Sequence, residues 1–185
     1  MNAVEYSLEI LDELKATLAR VDAAGSEEIV SRIVKARRIY VAGGGRSLLM
    51  LKSFAMRLMH LGLLTYVVGE TITPAIGYGD LLLIGSGSGE TGSLVSMAGK
   101  AKQLGASMAL ITIFPQSSIA EMADAVIQIM APTSKASSAY TSIQPGGSCF
   151  EQSMLILLDA IIIRLAQELK VEANAEIGLR HANIE

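Results

Sequence analysis

Asp80-Leu81-Leu82-Leu83-Ile84-Gly85-Ser86-Gly87-Ser88-Gly89-Glu90-Thr91-Gly92 is the stretch from which the fold is read. The run Asp80 to Ile84 is apolar and short, as a buried strand is. Glycine and hydroxyl residues follow, and Ser93 to Leu104 then carries a helical pattern. A strand that passes through such a loop into a helix binds anions at the junction. Unpaired backbone N–H groups and the positive end of the helix dipole point at one spot there. Ser86, Ser88 and Thr91 add side-chain donors on the same loop, so a phosphate fits.

On either side, further apolar runs repeat the theme. Arg38 to Ala42 reads as a strand ending in Gly43-Gly44-Gly45-Arg46-Ser47, Leu63 to Val68 as a second, and Asp80 to Ile84 as the third. Ser107 to Ile113 and Ala125 to Ile129 complete five. Helical patterns fall between most of them, and apolar strands alternating with helices imply a parallel sheet covered on both faces. Val4, Leu8, Leu11, Leu14 and Leu18 recur at helical spacing and predict an amphipathic helix that Gly25 ends. Ser26 is the expected N-cap of a second helix, with Glu27 and Glu28 in its first turn. Ser47 to Leu61 is apolar almost all round, with Ser53, Arg57 and His60 on one stripe, which predicts a helix buried on most sides. Ala131 to Gly147 holds four serines and two prolines, a loop longer than a connection requires and therefore expected to be functional. Ser148 to Leu169 reads as a long helix and Val171 to Glu185 as a polar tail. The whole, 1–185, is expected to be one domain, divided into N-terminal helices (1–37), a sheet core (38–130), the long helix (148–170) and the tail (171–185).

Composition excludes several classes. The net charge is −3 and no basic run exceeds Arg37-Arg38, so a nucleic-acid partner is not expected. Glu5, Glu9 and Asp12 stand where a signal peptide would be basic, and Asp159 and Arg164 interrupt the most apolar window, Met154 to Leu165. The expectation is a cytoplasmic protein that does not enter a membrane. The single cysteine, Cys149, excludes an internal disulfide and reads as a small buried residue. His60, His181 and Cys149 have no metal-ligand spacing, so no metal is expected. His60 lies in an apolar helix and reads as structural, whereas His181 lies in a polar tail where packing gives it no reason to be.

Gly87 to Gly92 formally matches the G-x-G-x-x-G of dinucleotide sites. That fingerprint belongs after the first strand, with an acidic residue about 20 positions on. Here it follows the third strand, and the fourth ends Ile111-Thr112-Ile113 without an acid. The first strand's own loop has Leu48 where the third glycine should stand, and Glu70 after the second strand is the weak support that remains for a nucleotide. Neither a P-loop lysine nor a nucleophile elbow is present. Two glycine-rich turns are left, Gly43 to Ser47 and Gly85 to Gly92, at the C-terminal ends of neighbouring strands, where open parallel sheets bind ligands. Glu151 opens the long helix. An acidic residue there complements the helix dipole; a lone carboxylate beside a sugar carbon is also the base that sugar isomerisation needs.

Ser86-Gly87-Ser88-Gly89-Glu90-Thr91 resembles the phosphate loop of the sugar isomerase (SIS) domain family. Within it, Gly45-Arg46-Ser47, Phe54 to Gly62, Val68 to Pro74, Gln144 to Gln152 and His181 to Glu185 resemble the 6-phospho-3-hexuloisomerases, so the likeness runs nearly end to end. The resemblance implies a three-layer, flavodoxin-like doubly wound sheet of five parallel strands with helices on both faces. It implies a homotetramer with active sites shared between subunits, and interconversion of D-arabino-hex-3-ulose 6-phosphate and D-fructose 6-phosphate without a cofactor. Carried onto this sequence, the loop Ser86, Gly87, Ser88, Gly89, Glu90 and Thr91 would hold the phosphate, and Arg46 and Ser47 would contact the substrate. Glu151 would be the base, its basicity raised by Phe150, Met154 and Leu155, and His181 would reach the site from its own tail or a neighbour's. Leu48 departs from the glycine usual at that place, which would narrow the pocket or alter the sugar accepted. An isomerase of another phosphosugar and a non-catalytic phosphosugar sensor are the alternatives. A sensor would need an output module, for which the two N-terminal helices are too little.

Overall fold

The computed structural model describes residues 1–133 and 141–184. In chain order the elements are α1 (Ala3–Leu18), α2 (Ala23–Lys35), β1 (Ile39–Gly43), α3 (Gly45–His60), β2 (Thr65–Val67) and β3 (Leu81–Gly85). They continue with α4 (Gly92–Gln103), β4 (Ser107–Thr112), α5 (Ser118–Met122), β5 (Ala125–Gln128), α6 (Ser148–Leu169) and α7 (Ala173–Arg180). All strand pairs are parallel, in the order β2-β1-β3-β4-β5. This is the flavodoxin-like order, and the direction of winding reverses between β1 and β3.

Each strand divides its residues between two cores, because successive side chains leave opposite faces of the sheet. Ile39, Val41, Leu81, Leu83 and Ile111 face α1, α2, α3 and α6, while Tyr40, Ala42, Leu82, Ile84 and Leu110 face α4 and α5. Both sets are apolar, which is why the strands lack polar alternation. Charge enters the interior at the N-terminal edge of the sheet. There Asp80, 1% exposed, accepts hydrogen bonds from Arg37, Arg38 and the Gly77 N–H. Burial pushes its carboxyl up, but the hydrogen bonds from Arg38, Arg37 and Gly77 outweigh it and hold it below the ordinary aspartate value. That group is structural and lies at the opposite end of the strands from the loops that follow β1 and β3.

Four expectations change. The second helix starts at Ala23 and is capped by Asp22, which accepts from the Ala24 and Gly25 N–H groups, so Gly25 and Ser26 lie inside it. Gly25 does not break the helix; a Cβ there would stand 3.1 Å from the Val126 carbonyl, so the missing side chain lets α2 approach β5. On α1 the predicted stripe is mostly exposed, with Leu14 buried but Val4, Leu8 and Leu11 facing outward. Similarly, α3 is buried along Leu51, Phe54, Ala55 and Leu58 while Leu49 and Met56 are exposed, and His60 lies on the buried side. Finally, the tail forms α7, which buries none of its residues. Among the described residues no helix is long and apolar enough to cross a membrane.

Candidate active site

β1 and β3 pair in register to their last residues, Gly43 opposite Gly85. The turns leaving them diverge at the switch point, and the gap between the turns is a cavity of about 380 Å³. It is lined by Gly44, Gly45, Arg46 and Ser47 from the first turn, and by Gly85, Ser86, Gly87, Ser88 and Thr91 from the second. Ile113, Phe114 and Leu94 supply apolar wall; Gly147, Phe150 and Glu151 close it from the start of α6, with Thr133 beside them. A volume of this size suits a small metabolite.

The helix N-termini differ in a way that matters here. α1, α2 and α7 are capped by the side chains of Asn2, Asp22 and Glu172. The N-cap residues of α3, α4 and α6 are Gly44, Thr91 and Gly147, none of which makes a side-chain cap bond, and all three line the cavity. First-turn N–H groups without an intrahelical partner need an acceptor, and the N-cap residues of these three helices border one space. A dianion bound there would supply what the caps supply elsewhere.

The loop before α4 is held rigidly enough to aim these donors. Ser86 Oγ accepts from the Gly89 N–H at 3.1 Å and Ser88 Oγ from the Glu90 N–H at 3.2 Å, which leaves both hydroxyl protons free to point at a ligand. The Gly87 carbonyl accepts from Thr112 Oγ1 and the Ile113 N–H, and the Gly89 carbonyl from the Ile119 N–H. Gly89 has φ +62°, and a Cβ there would stand 1.9 Å from Ser117 Oγ, so only glycine fits. Glu90 turns away from the cavity. It accepts from the Ser118 N–H at 2.6 Å and Ser118 Oγ at 2.7 Å, hydrogen bonds that hold its carboxyl below the ordinary value and cap α5. Of the loop residues expected to hold phosphate, Ser86, Gly87, Ser88 and Thr91 line the cavity; Gly89 and Glu90 shape the loop from behind.

Glu151 and Arg46 meet inside. Arg46 Nε donates to Glu151 Oε2, with the Glu151 side chain 14% exposed and that of Arg46 56%. The surround expected for Glu151 is therefore mixed, with Phe150 on the cavity wall and a guanidinium against the carboxylate. Leu48 does not line the cavity, so the expected narrowing is absent; its backbone packs against Gly43. Cys149 is buried, with Sγ 3.4 Å from Thr17 Oγ1.

His181 is not among the cavity residues of its own chain. It caps the end of α7, and its ring stacks on His60 with centroids 5.6 Å apart. His60 ends α3, whose first turn holds Arg46, so the helix length puts His181 roughly 20 Å from the cavity. An approach from the same chain's tail is thereby ruled out in this conformation. The reason is local: Arg180 anchors α7 on the His60 carbonyl and over Gly62. Ile113 and Phe114 escaped the sequence reading, although they follow β4 at the same edge as the two glycine turns. Thr133 lies in the loop expected to be functional; that loop's residues 134–140 are outside the described residues. No three of the described His, Cys, Asp and Glu residues are grouped to hold a metal.

The chain matches known proteins over most of its length. Residues 32–158 match the SIS domain family. A protein of Bacillus subtilis named 3-hexulose-6-phosphate isomerase is 43% identical over 186 residues, covering 100% of both chains. One of the same name from Mycobacterium gastri is 44% identical, covering 95% of this chain and 88% of its own. Among solved structures, a Methanococcus jannaschii protein, whose crystal structure infers a function of 3-hexulose-6-phosphate isomerase, superposes with a TM-score of 0.83. It is 34% identical over 100% of both chains. The chain belongs to the SIS domain family, and the Bacillus subtilis and Mycobacterium gastri relatives are named as sugar-phosphate isomerases.

Proposed function

We propose that this phosphosugar isomerase interconverts D-arabino-hex-3-ulose 6-phosphate and D-fructose 6-phosphate. The reading rests on one observation: Glu151 shares a single cavity with the Ser86 to Thr91 loop and three uncapped helix N-termini. The phosphate binds the loop through Ser86, Ser88, Thr91 and the first-turn N–H groups of α4, remote from the reacting carbons. Its binding energy then orients C2 and C3 beside Glu151. Glu151 removes the proton from C2 to give an enediolate, the hydroxyl proton on the C2 oxygen passes to the C3 oxygen, and the same carboxylic acid returns its proton to C3 as the C2 oxygen becomes the carbonyl. Arg46 starts on Glu151 and is more than half exposed. The arriving substrate draws the guanidinium to its own oxygens, frees the base and stabilises the developing oxyanion.

The homotetramer and its shared sites belong to the same proposal. Val4, Leu8 and Leu11 on α1, Leu49 and Met56 on α3, and Ile156 and Ile163 on α6 are exposed on one side of the sheet. Apolar surface of that extent is normally covered by another chain. His181 then serves a neighbour's cavity, its own being out of reach. The function is tested by turnover of a panel of 5-phospho and 6-phospho ketoses and aldoses, with fructose 6-phosphate read enzymatically. Preference for the 3-hexulose is expected; turnover of a different phosphosugar alone would replace it.

A further inference from the structure

The N-terminal helix makes polar contacts for which the chemistry above has no use. On its inner side α1 buries only Leu14 and Thr17. Glu13, beside them, gives its whole carboxylate to one stretch of chain. Oε2 accepts from Ser142 Oγ at 2.7 Å and from Gln144 Nε2 at 3.0 Å, and Oε1 accepts from the Ile143 N–H at 2.8 Å. Ser142 Oγ in turn accepts from the Gln144 N–H at 3.0 Å. Immediately downstream, the Pro145 carbonyl accepts from Ser148 Oγ at 2.8 Å and the Gly147 carbonyl from the Glu151 N–H at 3.0 Å. One helical turn along α1 from Glu13, Thr17 meets Cys149 inside the protein. Two residues four apart on one helix therefore grip both the segment entering α6 and the first turn of α6.

We propose that Glu13 is a positioning residue for Glu151, fixing the start of α6 so that the carboxylate meets the substrate carbons. The proposal rests on the reading of Glu151 as the base. The first turn of α6 has no side-chain cap, and Pro145-Gly146-Gly147 before it offers little side chain to hold it. Cys149 and Phe150 pack the turn inward and Arg46 meets Glu151 itself, while the segment entering the helix is held by the Glu13 carboxylate. Charge-assisted hydrogen bonds are about twice as strong as neutral ones. Burial pushes the Glu13 carboxyl up, but the bonds from Gln144, Ile143 and Ser142 outweigh it and hold it below the ordinary glutamate value, so it grips as a carboxylate at neutral pH. A displacement of about 1 Å at a reacting group costs on the order of 100-fold in rate. The phosphate loop is held by Thr112, Ile113 and Ile119 and does not touch Glu13. Turnover and phosphosugar binding should therefore separate.

The test compares Glu13→Ala, Glu13→Gln and Glu151→Gln in the full-length protein. Glu13→Ala is expected to lower kcat by about tenfold or more, while KM and fructose 6-phosphate binding change by less than about twofold. Glu13→Gln, which keeps one acceptor oxygen, recovers part of the loss, and Glu13→Ala adds no further loss in the Glu151→Gln background. Amide hydrogen exchange speeds up in peptides covering 141–151 but not in 86–95. Wild-type kcat in Glu13→Ala beside an inactive Glu151→Gln overturns the proposal. So does an equal loss of turnover and binding with faster exchange throughout the chain, the signature of a merely structural role. Near-normal turnover in Glu151→Gln removes the base reading, and this role with it, whatever Glu13→Ala does. If Glu13→Ala does not fold, Glu13→Gln carries the same comparison of kcat with KM.

Discussion

Glu151 has two reasons to stand where it does, and they predict different things. As a dipole partner at the start of α6, its loss would cost about 0.3–1 kcal/mol of stability and leave turnover intact. As the base, its loss stops the proton transfer. We expect Glu151→Gln to fold, to bind fructose 6-phosphate with near-normal affinity and to lose about 10³-fold in kcat, measured by isomerisation at saturating substrate. Retained turnover would return Glu151 to the dipole role. Gly89 makes the complementary prediction on the binding side. Gly89→Ala forces an L residue to φ +62° and drives its Cβ into Ser117. The loop must shift, and affinity for fructose 6-phosphate should fall by about tenfold or more, measured by calorimetry. Ser117→Gly added to it removes the clash and should recover part of the affinity, leaving the left-handed strain of about 1 kcal/mol.

At the level of elements, the docking of α7 on the end of α3 places a second histidine against a buried one. Burial lowers the His60 pKa first, and the nearby charges of Arg57 and His181 lower it further. The unfolded chain therefore binds a proton near pH 6.5 that the native state refuses until lower pH. The stability from neutral His60 is complete above about pH 6.5 and is lost as pH falls toward the folded value. Thermal denaturation from pH 7.5 to 5.5 should show Tm falling, and His60→Asn should flatten that slope; an unchanged slope would mean that His60 does not set it. The two glutamates Glu90 and Glu13 make a related point. Each holds one element against another, Glu90 the phosphate loop to α5 and Glu13 the α1 helix to the approach of α6.

For the whole molecule, the separation of His181 from the cavity of its own chain turns an assembly question into a kinetic one. If His181 acts on a neighbour, subunits carrying Glu151→Gln mixed with subunits carrying His181→Ala should form some sites with both residues intact. Activity well above that of either parent is expected after unfolding and co-refolding. Mixed oligomers of verified composition with no regained activity would sink the shared site. The proposed assembly would also cover the exposed apolar side chains of α1, α3 and α6.

The chain's own order of residues determined most of the architecture. Five apolar runs interleaved with helical patterns specify a parallel sheet, since backbone groups buried on both faces must pair strand to strand. Glycine and hydroxyl residues after the third run specify an anion loop, because positive φ, tight turns and donors are local properties. The long helix from Ser148 to Leu169 was legible to the residue. What tertiary structure alone decided is which neighbours those residues meet. The direction of Glu90, the grip of Glu13, the pairing of Arg46 with Glu151 and the distance of His181 all join residues far apart in sequence. Periodicity states that a side chain is on a face; only packing states what lies opposite it. Leu8 and Leu14 have the same place in a pattern, and among the described residues Leu14 is covered while Leu8 is exposed.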